Sequence, residues 1–399
     1  MRTISRRSSF WVAAAIAAIA LWTSAAPTVT YPVYAEEWQL TTATTTAIFA
    51  VYPIVLVVAL ALFGNLSDYI GRRSAMLIGL GLSFGGVVLF AAAPSVEWLF
   101  AGRALMGLGV ALSLSPATAA MVDFSAPGQE KRASAITTAA TAVGLMLALL
   151  VGGGLIEYAP LPTHLNFIVL SVVIAVVRAF AYFLPRHTPD EARGRWRPRG
   201  ITVPRGIRHV FVIGAVSVTA AFLVGVIMLS LGADIAQELI QSDNALVNGA
   251  VLALNAAAIA TAAIVLRNVR PVNLVMLGAI ATVAGLAVML ASSVQHSLAL
   301  FLVAAVVTGF GYSLLFGGGL GIVSAAAPSH HRAGTLSAVY LISYFFQGTT
   351  ALFLGTLATG YDLQLALEVG AAVVTVAAVA ALVLAFTLGR GPQTAPAAA

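Results

Sequence analysis

Gly64-Asn65-Leu66-Ser67-Asp68-Tyr69-Ile70-Gly71-Arg72-Arg73 separates two long apolar runs, residues 41–63 and 74–93. Its polar side chains have no place in hydrocarbon, so the segment reads as a short water-facing link between two spans. Gly64 and Gly71 permit a sharp turn and close helix approach. Asp68 and Arg72 stand four residues apart, so on a helical turn they share a face. Membrane topology asks for bases at such a link. It does not ask for an acid framed by two glycines.

Composition sets the solvent. The chain has 399 residues, 60% hydrophobic and 9% charged, where soluble domains run near about 25% charged. About 20 apolar residues cross a hydrocarbon layer of roughly 30 Å, and runs of that kind recur from end to end. Twelve helices are expected, near residues 10–30, 41–63, 74–93, 97–121, 132–156, 163–184, 209–232, 246–267, 272–292, 297–324, 333–357 and 364–388. The expected class is therefore an all-α membrane protein, because lipid offers the backbone no other partner. With no cysteine there is no disulfide framework, thiolate metal site or thiol nucleophile. The net charge of +6 does not point to nucleic acid, because the bases are not gathered on a foldable soluble face.

The bases orient the spans. Arg2, Arg6 and Arg7 precede the first; Arg72 and Arg73 follow the second; Lys131 and Arg132 follow the fourth. Seven arginines (186, 193, 195, 197, 199, 205 and 208) fill the link after the sixth, Arg267 and Arg270 follow the eighth, Arg332 the tenth and Arg390 the twelfth. All fall on one side, and the opposite loops hold Glu36, Glu37, Asp234, Glu238, Asp243 and Asp362. The positive-inside rule then puts both termini in the cytoplasm. Ser5-Arg6-Arg7-Ser8-Ser9-Phe10 also has the look of a twin-arginine export signal. Its removal would leave eleven spans and invert the parity that the other arginines obey.

The chain divides into two related halves, 1–184 and 209–399, around an arginine- and proline-rich link at 185–208. Lys131-Arg132-Ala133-Ser134 opens the fifth span and His331-Arg332-Ala333-Gly334 the eleventh, an offset of 200 residues. Met106-Gly107-Leu108-Gly109-Val110 in the fourth corresponds to Thr308-Gly309-Phe310-Gly311-Tyr312 in the tenth, an offset of 202.

The segment at 64–73 resembles the loop between the second and third helices of the major facilitator superfamily, G-x-L-[AS]-D-x-x-G-R-[RK]. The resemblance implies a twelve-helix transporter of two six-helix halves, a substrate cavity between them near the midplane, and rocking of one half on the other. It implies a conformational gate of Gly64, Asp68, Gly71, Arg72 and Arg73. Asp68 would meet the start of the eleventh helix, where the helix dipole favours an anion. Arg72 would pair with Asp123. The alternative is that these bases only set topology. In the second half the loop is degraded to Arg267-Asn268-Val269-Arg270-Pro271, with no acid.

Arg103 lies in the fourth span within Arg103-x-x-x-Gly107-x-Gly109, similar to a superfamily motif whose arginine is tied to proton coupling. A charge inside a span costs about 2.5–3.5 kcal/mol or more. The matching place in the repeat is Ala305. Against the coupling role stands an arginine that reaches the outer headgroups or pairs with Glu36, Glu37 or Glu157. A fifth-helix exporter motif is partial: Gly144-x-x-x-Ala148-Leu149-x-x-Gly152-Gly153 lacks its central Gly-Pro, and plain helix packing explains the small residues as well.

Polar residues within spans are the cavity candidates. Ser337, Tyr340, Tyr344 and Gln347 form one stripe of the eleventh helix, joined by Asn255, Trp22, Tyr52 and Tyr312. The alternatives are interfacial tyrosines and amides that bond neighbouring helices. No carboxylate occupies the middle of the first or second span, which leaves Glu36 or Glu37 reaching in from the outer end, Asp234, Glu157 or His164 for proton coupling, or no coupling at all.

The leading reading is a proton-coupled exporter of drugs or metabolites in the bacterial inner membrane, working as a monomer among membrane lipids, with protons as a possible second cargo. An importer or facilitator of a small nutrient is the alternative. An enzyme is not expected, since no catalytic, metal or nucleotide-binding constellation stands out; no cofactor is expected either. The aromatic, amide-rich stripe suggests an uncharged or weakly charged amphiphilic solute.

Overall fold

The computed structural model describes residues 4–126, 130–186, 203–239, 241–327 and 332–390. The side chains of Asp68, Lys131, Arg132, Arg332 and Arg390, together with His331 and most of the link after the sixth span, lie outside the described residues. The helices are α1 (Arg6–Ala25), α2 (Thr42–Phe63), α3 (Arg72–Ala91), α4 (Val96–Phe124), α5 (Glu130–Tyr158) and α6 (Leu165–Ala181), then α7 (from Arg208–Val226 onward), α8 (Ala245–Val265), α9 (Pro271–Val294), α10 (Leu298–Ala326), α11 (Arg332–Gly360) and α12 (Leu363–Arg390). Among the described residues eleven are long and apolar enough to cross a bilayer; α6 is shorter at 17 residues and equally apolar. The face bearing Arg6, Arg72, Arg205 and Arg270 is called the arginine face below, and the other the acidic face.

Side chains start many of these helices where the chain leaves a loop. Ser5 accepts from Ser8 N at 3.1 Å, Thr41 from Thr44 N at 3.3 Å, Asn244 from Val247 N at 2.9 Å and Asp362 from Leu365 N at 2.6 Å. Each satisfies a backbone donor that the first helical turn leaves without a carbonyl.

Two spans differ from the sequence reading. The first ends at Ala25, and Tyr31–Trp38 forms a separate short helix beyond a turn holding Pro27. The seventh runs past residue 232. From Arg208–Val226 it continues through π-helical turns at Ile227–Leu231 and Ile235–Leu239, on either side of Gly232–Asp234. Asp234 and Glu238 therefore sit on the last turns of α7 rather than in a loop. Within the first of these turns the Leu229 carbonyl accepts from Thr28 Oγ1 at 3.1 Å.

The duplication is visible in the packing. Gly79, Ser83 and Gly86 of α3 and Gly278, Thr282 and Gly285 of α9 share i, i+4, i+7 spacing at an offset of 199 residues. In each half these residues bring two backbones together. A Cβ on Gly86 would stand 2.6 Å from Gly102 O of α4, and one on Gly285 would stand 2.8 Å from Thr308 N of α10. Small residues of this kind let helices associate where no hydrophobic force drives them.

The halves join through α2 with α11 and α5 with α8. The closest of these contacts lie toward the acidic face. Ala43 N donates to Thr359 Oγ1 at 2.7 Å, and Ala245 N donates to Glu157 Oε2 at 2.8 Å. A Cβ on Gly153 would stand 2.7 Å from Ala245 O.

Candidate functional site

The loop at 64–73 is built as its composition suggests. A short helix, Ser67–Ile70, leads to Gly71, whose φ of 84° and ψ of 146° form a backbone shape that essentially only glycine adopts. This turn starts α3 and delivers both arginines. Arg72 forms an ion pair with Asp123 at the end of α4, both partners being partly open to solvent. Arg73 is buried and lies over the Tyr182 ring, 4.9 Å from its centroid. Arg6 donates to the carbonyls of Asp123 (3.0 Å), Phe124 (3.2 Å) and Ser125. The carbonyl end of α4, the negative end of its dipole, is thus held by two arginines. Gly64 follows the last turn of α2, its N–H donating to Leu60 O at 2.9 Å. Where the Asp68 carboxylate points lies outside the described residues.

Arg103 is fully buried inside the first half, between α1, α2 and α4. Its Nη1 donates to Ser24 O at 2.9 Å and Nη2 to Phe49 O at 3.5 Å. The guanidinium lies 4.7 Å from the Tyr52 ring centroid and 5.7 Å from that of Phe49. Among the described residues no carboxylate pairs with it. Of the acids offered as alternative partners, Glu157 instead accepts from the start of α8. Total burial also excludes an arginine reaching for headgroups. Arg103 Nε and the nearby Tyr31 hydroxyl are buried with no hydrogen-bond partner.

Across the interface, α7, α10 and α11 assemble a wall of five rings. Phe222 lies 6.4 Å from Tyr312, 6.0 Å from Phe316, 6.5 Å from Tyr340 and 4.6 Å from Tyr344. Tyr312 lies 6.0 Å from Phe316, and Tyr340 lies 6.4 Å from Tyr344. Spacings of this order are those of mutually attractive rings. Tyr52 links the two halves. It stands on α2, which packs against α11 of the other half, the helix that carries Tyr344.

The candidates from the eleventh-span stripe come together: Tyr340 and Tyr344 enter the wall, and Gln347 is buried with Nε2 3.5 Å from the Cβ position of Gly225 on α7. Ser337 lines a narrow cleft with Val57, Leu60, Ala61, Tyr340 and Leu341. Trp22 is buried with Nε1 unpartnered. Asn255 departs from the group. Its Nδ2 donates to Ala305 O at 2.7 Å and to Thr308 Oγ1 at 3.2 Å, so it ties α8 to α10 as a buried amide must. The small residues of α5 are likewise engaged in packing: Gly144 lies against Ala18 O, Gly152 against Val29, and Gly153 against Ala245.

Phe222 and Phe316 escaped the sequence reading. Their one sequence signal was register: Phe316 stands four residues from Tyr312 on α10. Among the described residues no group of three or more His, Asp or Glu gathers into a metal site.

The family model described as Major Facilitator Superfamily matches residues 10–293. The multidrug efflux pump LfrA of Mycolicibacterium smegmatis is 37% identical over 130 residues, covering 32% of this chain and 25% of that protein. The vesicular acetylcholine transporter of Homo sapiens is 31% identical over 144 residues, 36% of this chain and 26% of that protein. The matched region thus spans about a quarter of the length of these curated relatives. A bacterial homolog to the human lysosomal transporter Spinster, in an inward-facing and unoccupied conformation, superposes with a TM-score of 0.76 at 15% identity, over 98% of this chain and 99% of that one. The nucleoside transporter NupG gives 0.75 at 14% identity, over 95% and 100%.

Proposed function

This chain belongs to the Major Facilitator Superfamily, and on that premise we propose that it exports a small organic solute, a drug or metabolite, by proton-coupled alternating access. The observation that carries the reading is that the hydrogen bonds between the halves gather on one face, while the arginine-rich loop stands on the other. Hydrogen bonds between the halves gather toward the acidic face, at Ala43–Thr359, Glu157–Ala245 and Thr28–Leu229. The Gly64–Arg73 loop and its Arg72–Asp123 pair stand on the arginine face. A solute on the ring wall lies between them.

In this reading the halves are 1–184 and 209–399, joined by a cytoplasmic link at 185–208, with both termini in the cytoplasm of a bacterium. Gly64, Asp68, Gly71, Arg72, Arg73 and Asp123 hold the arginine face closed in one end state. Arg103 couples solute or proton charge to the change of state. The export direction is supported by the likeness to LfrA, named a multidrug efflux pump. A second reading, import of a small nutrient, is favoured by the lack of any Asp or Glu between Arg6 and Glu36.

Growth of an efflux-deficient bacterium separates the two. Expression should raise tolerance to at least one compound of a broad toxic panel, and Asp68→Asn should abolish the gain. Heightened sensitivity on expression would establish import and overturn export.

A further inference from the structure

We infer that Arg103 and Tyr31 form a head-group subsite for a solute bearing a carboxylate or comparable anionic oxygen, whose flat apolar body lies on the five-ring wall. The inference rests on the transporter reading above and deepens it by naming a substrate class.

The argument starts from charge. A guanidinium keeps its proton in a protein, so Arg103 places a permanent cation in a fully buried position. Its protein partners are two backbone carbonyls and two ring faces. These are dipoles and quadrupoles, and they leave a net positive charge. Its Nε–H still lacks an acceptor, and the adjacent Tyr31 hydroxyl is buried without a partner. Trp22 Nε1 and Thr23 Oγ1, on the stretch of α1 leading to Ser24, are unpartnered too. Arginine Nε and indole Nε1 can only donate. An anionic oxygen is the one kind of group that both accepts these bonds and supplies the missing charge. A cationic solute would be repelled, and a neutral one would leave the charge uncompensated.

The body of the solute follows from the opposite wall. Phe222, Tyr312 and Phe316 lie nearly parallel to one another, with interplanar angles of 7°, 15° and 20°. A planar apolar group aligned with these rings would extend the parallel set. The Tyr52 ring lies against the guanidinium, and its helix α2 packs on α11, which carries Tyr340 and Tyr344, so the two parts adjoin. The weakly charged solute expected from the eleventh helix alone changes once Arg103 is placed inside the protein.

The test is binding of 2-naphthoate, 2-naphthamide and 2-naphthylmethylamine to the purified full-length protein in detergent, followed by tryptophan fluorescence. The three share one ring body and differ in head-group charge. The naphthoate should bind about tenfold tighter than the amine, the scale of one buried charge pair. Arg103→Gln should bring the three affinities together, and Tyr31→Phe, a change of one hydroxyl, should weaken the naphthoate selectively. Phe222→Ala should weaken all three by roughly fivefold, as loss of a ring contact does. Equal or reversed preference in the unaltered protein, no binding of any of the three, or selectivity that survives both Arg103→Gln and Tyr31→Phe would overturn the inference. Because binding is read without transport, an anion preference in a protein that gives no export would sink the export reading alone.

Discussion

Arg72 and Asp123 are each partly open to solvent, so their pairing contributes less than about 1 kcal/mol to stability. A role in one conformational state predicts a different pattern from a role in folding. Arg72→Asp should cut transport by roughly tenfold, in the range of ordinary coupling free energies, while thermal unfolding of the purified protein barely moves. Adding Asp123→Arg should restore part of the rate. A double variant no better than the single one would show that the pair has no directional role. Gly71 is the second residue with a sharp expectation. Its φ of 84° makes Gly71→Ala cost about 1–3 kcal/mol, visible as a lowered unfolding midpoint. The sharp turn at Gly71 was legible in the sequence itself, and the Arg72–Asp123 pair came from the resemblance of the 64–73 loop to its family motif. It could not carry Phe222 and Phe316. In a membrane protein phenylalanine is at home in lipid, and hydropathy does not separate a ring packed inside the protein from exposed ones such as Phe180 or Phe353. Asn255 shows the converse limit. A mid-span amide signals a buried partner, and only the packing shows that the partner is α10.

At the scale of elements, the α3–α4 and α9–α10 seams depend on glycines that admit a neighbouring backbone. A Cβ on Gly86 or Gly285 would meet backbone atoms at 2.6 and 2.8 Å, whereas one on Gly317 would meet nothing within 4 Å. Gly86→Ala and Gly285→Ala should each lower stability by about 1–3 kcal/mol through overpacking. Gly317→Ala on the same α10 should stay within about 0.5 kcal/mol. Thermal unfolding in detergent separates them, and equal effects at all three positions would refute a packing role specific to the seams. Helix number was readable because lipid tolerates little else, and the arginine asymmetry constrained the count independently. The π-turns of α7 were not readable. Ile227–Leu231 packs on α2 and Ile235–Leu239 on α9 and α12, contacts that leave no local signature in an apolar run.

At the scale of the whole molecule, the proposed mechanism has two six-helix halves close alternately on the arginine and acidic faces around the ring wall and the buried Arg103. The duplication was partly visible in sequence, at Met106–Val110 and Thr308–Tyr312, and the α3 and α9 glycine spacing extends it. Which contacts join the halves had to come from the fold, because they are backbone approaches that many small residues would allow. The chain has no cysteine, so two introduced thiols report without interference. Ala43→Cys with Thr359→Cys places them where α2 meets α11 on the acidic face, at a site bridged by a 2.7 Å hydrogen bond. Solute flux through this variant in vesicles, before and after a short reducible thiol cross-linker, tests alternating closure most directly. The account predicts that cross-linking stops flux and that reduction restores it; undiminished flux through fully cross-linked protein would contradict it.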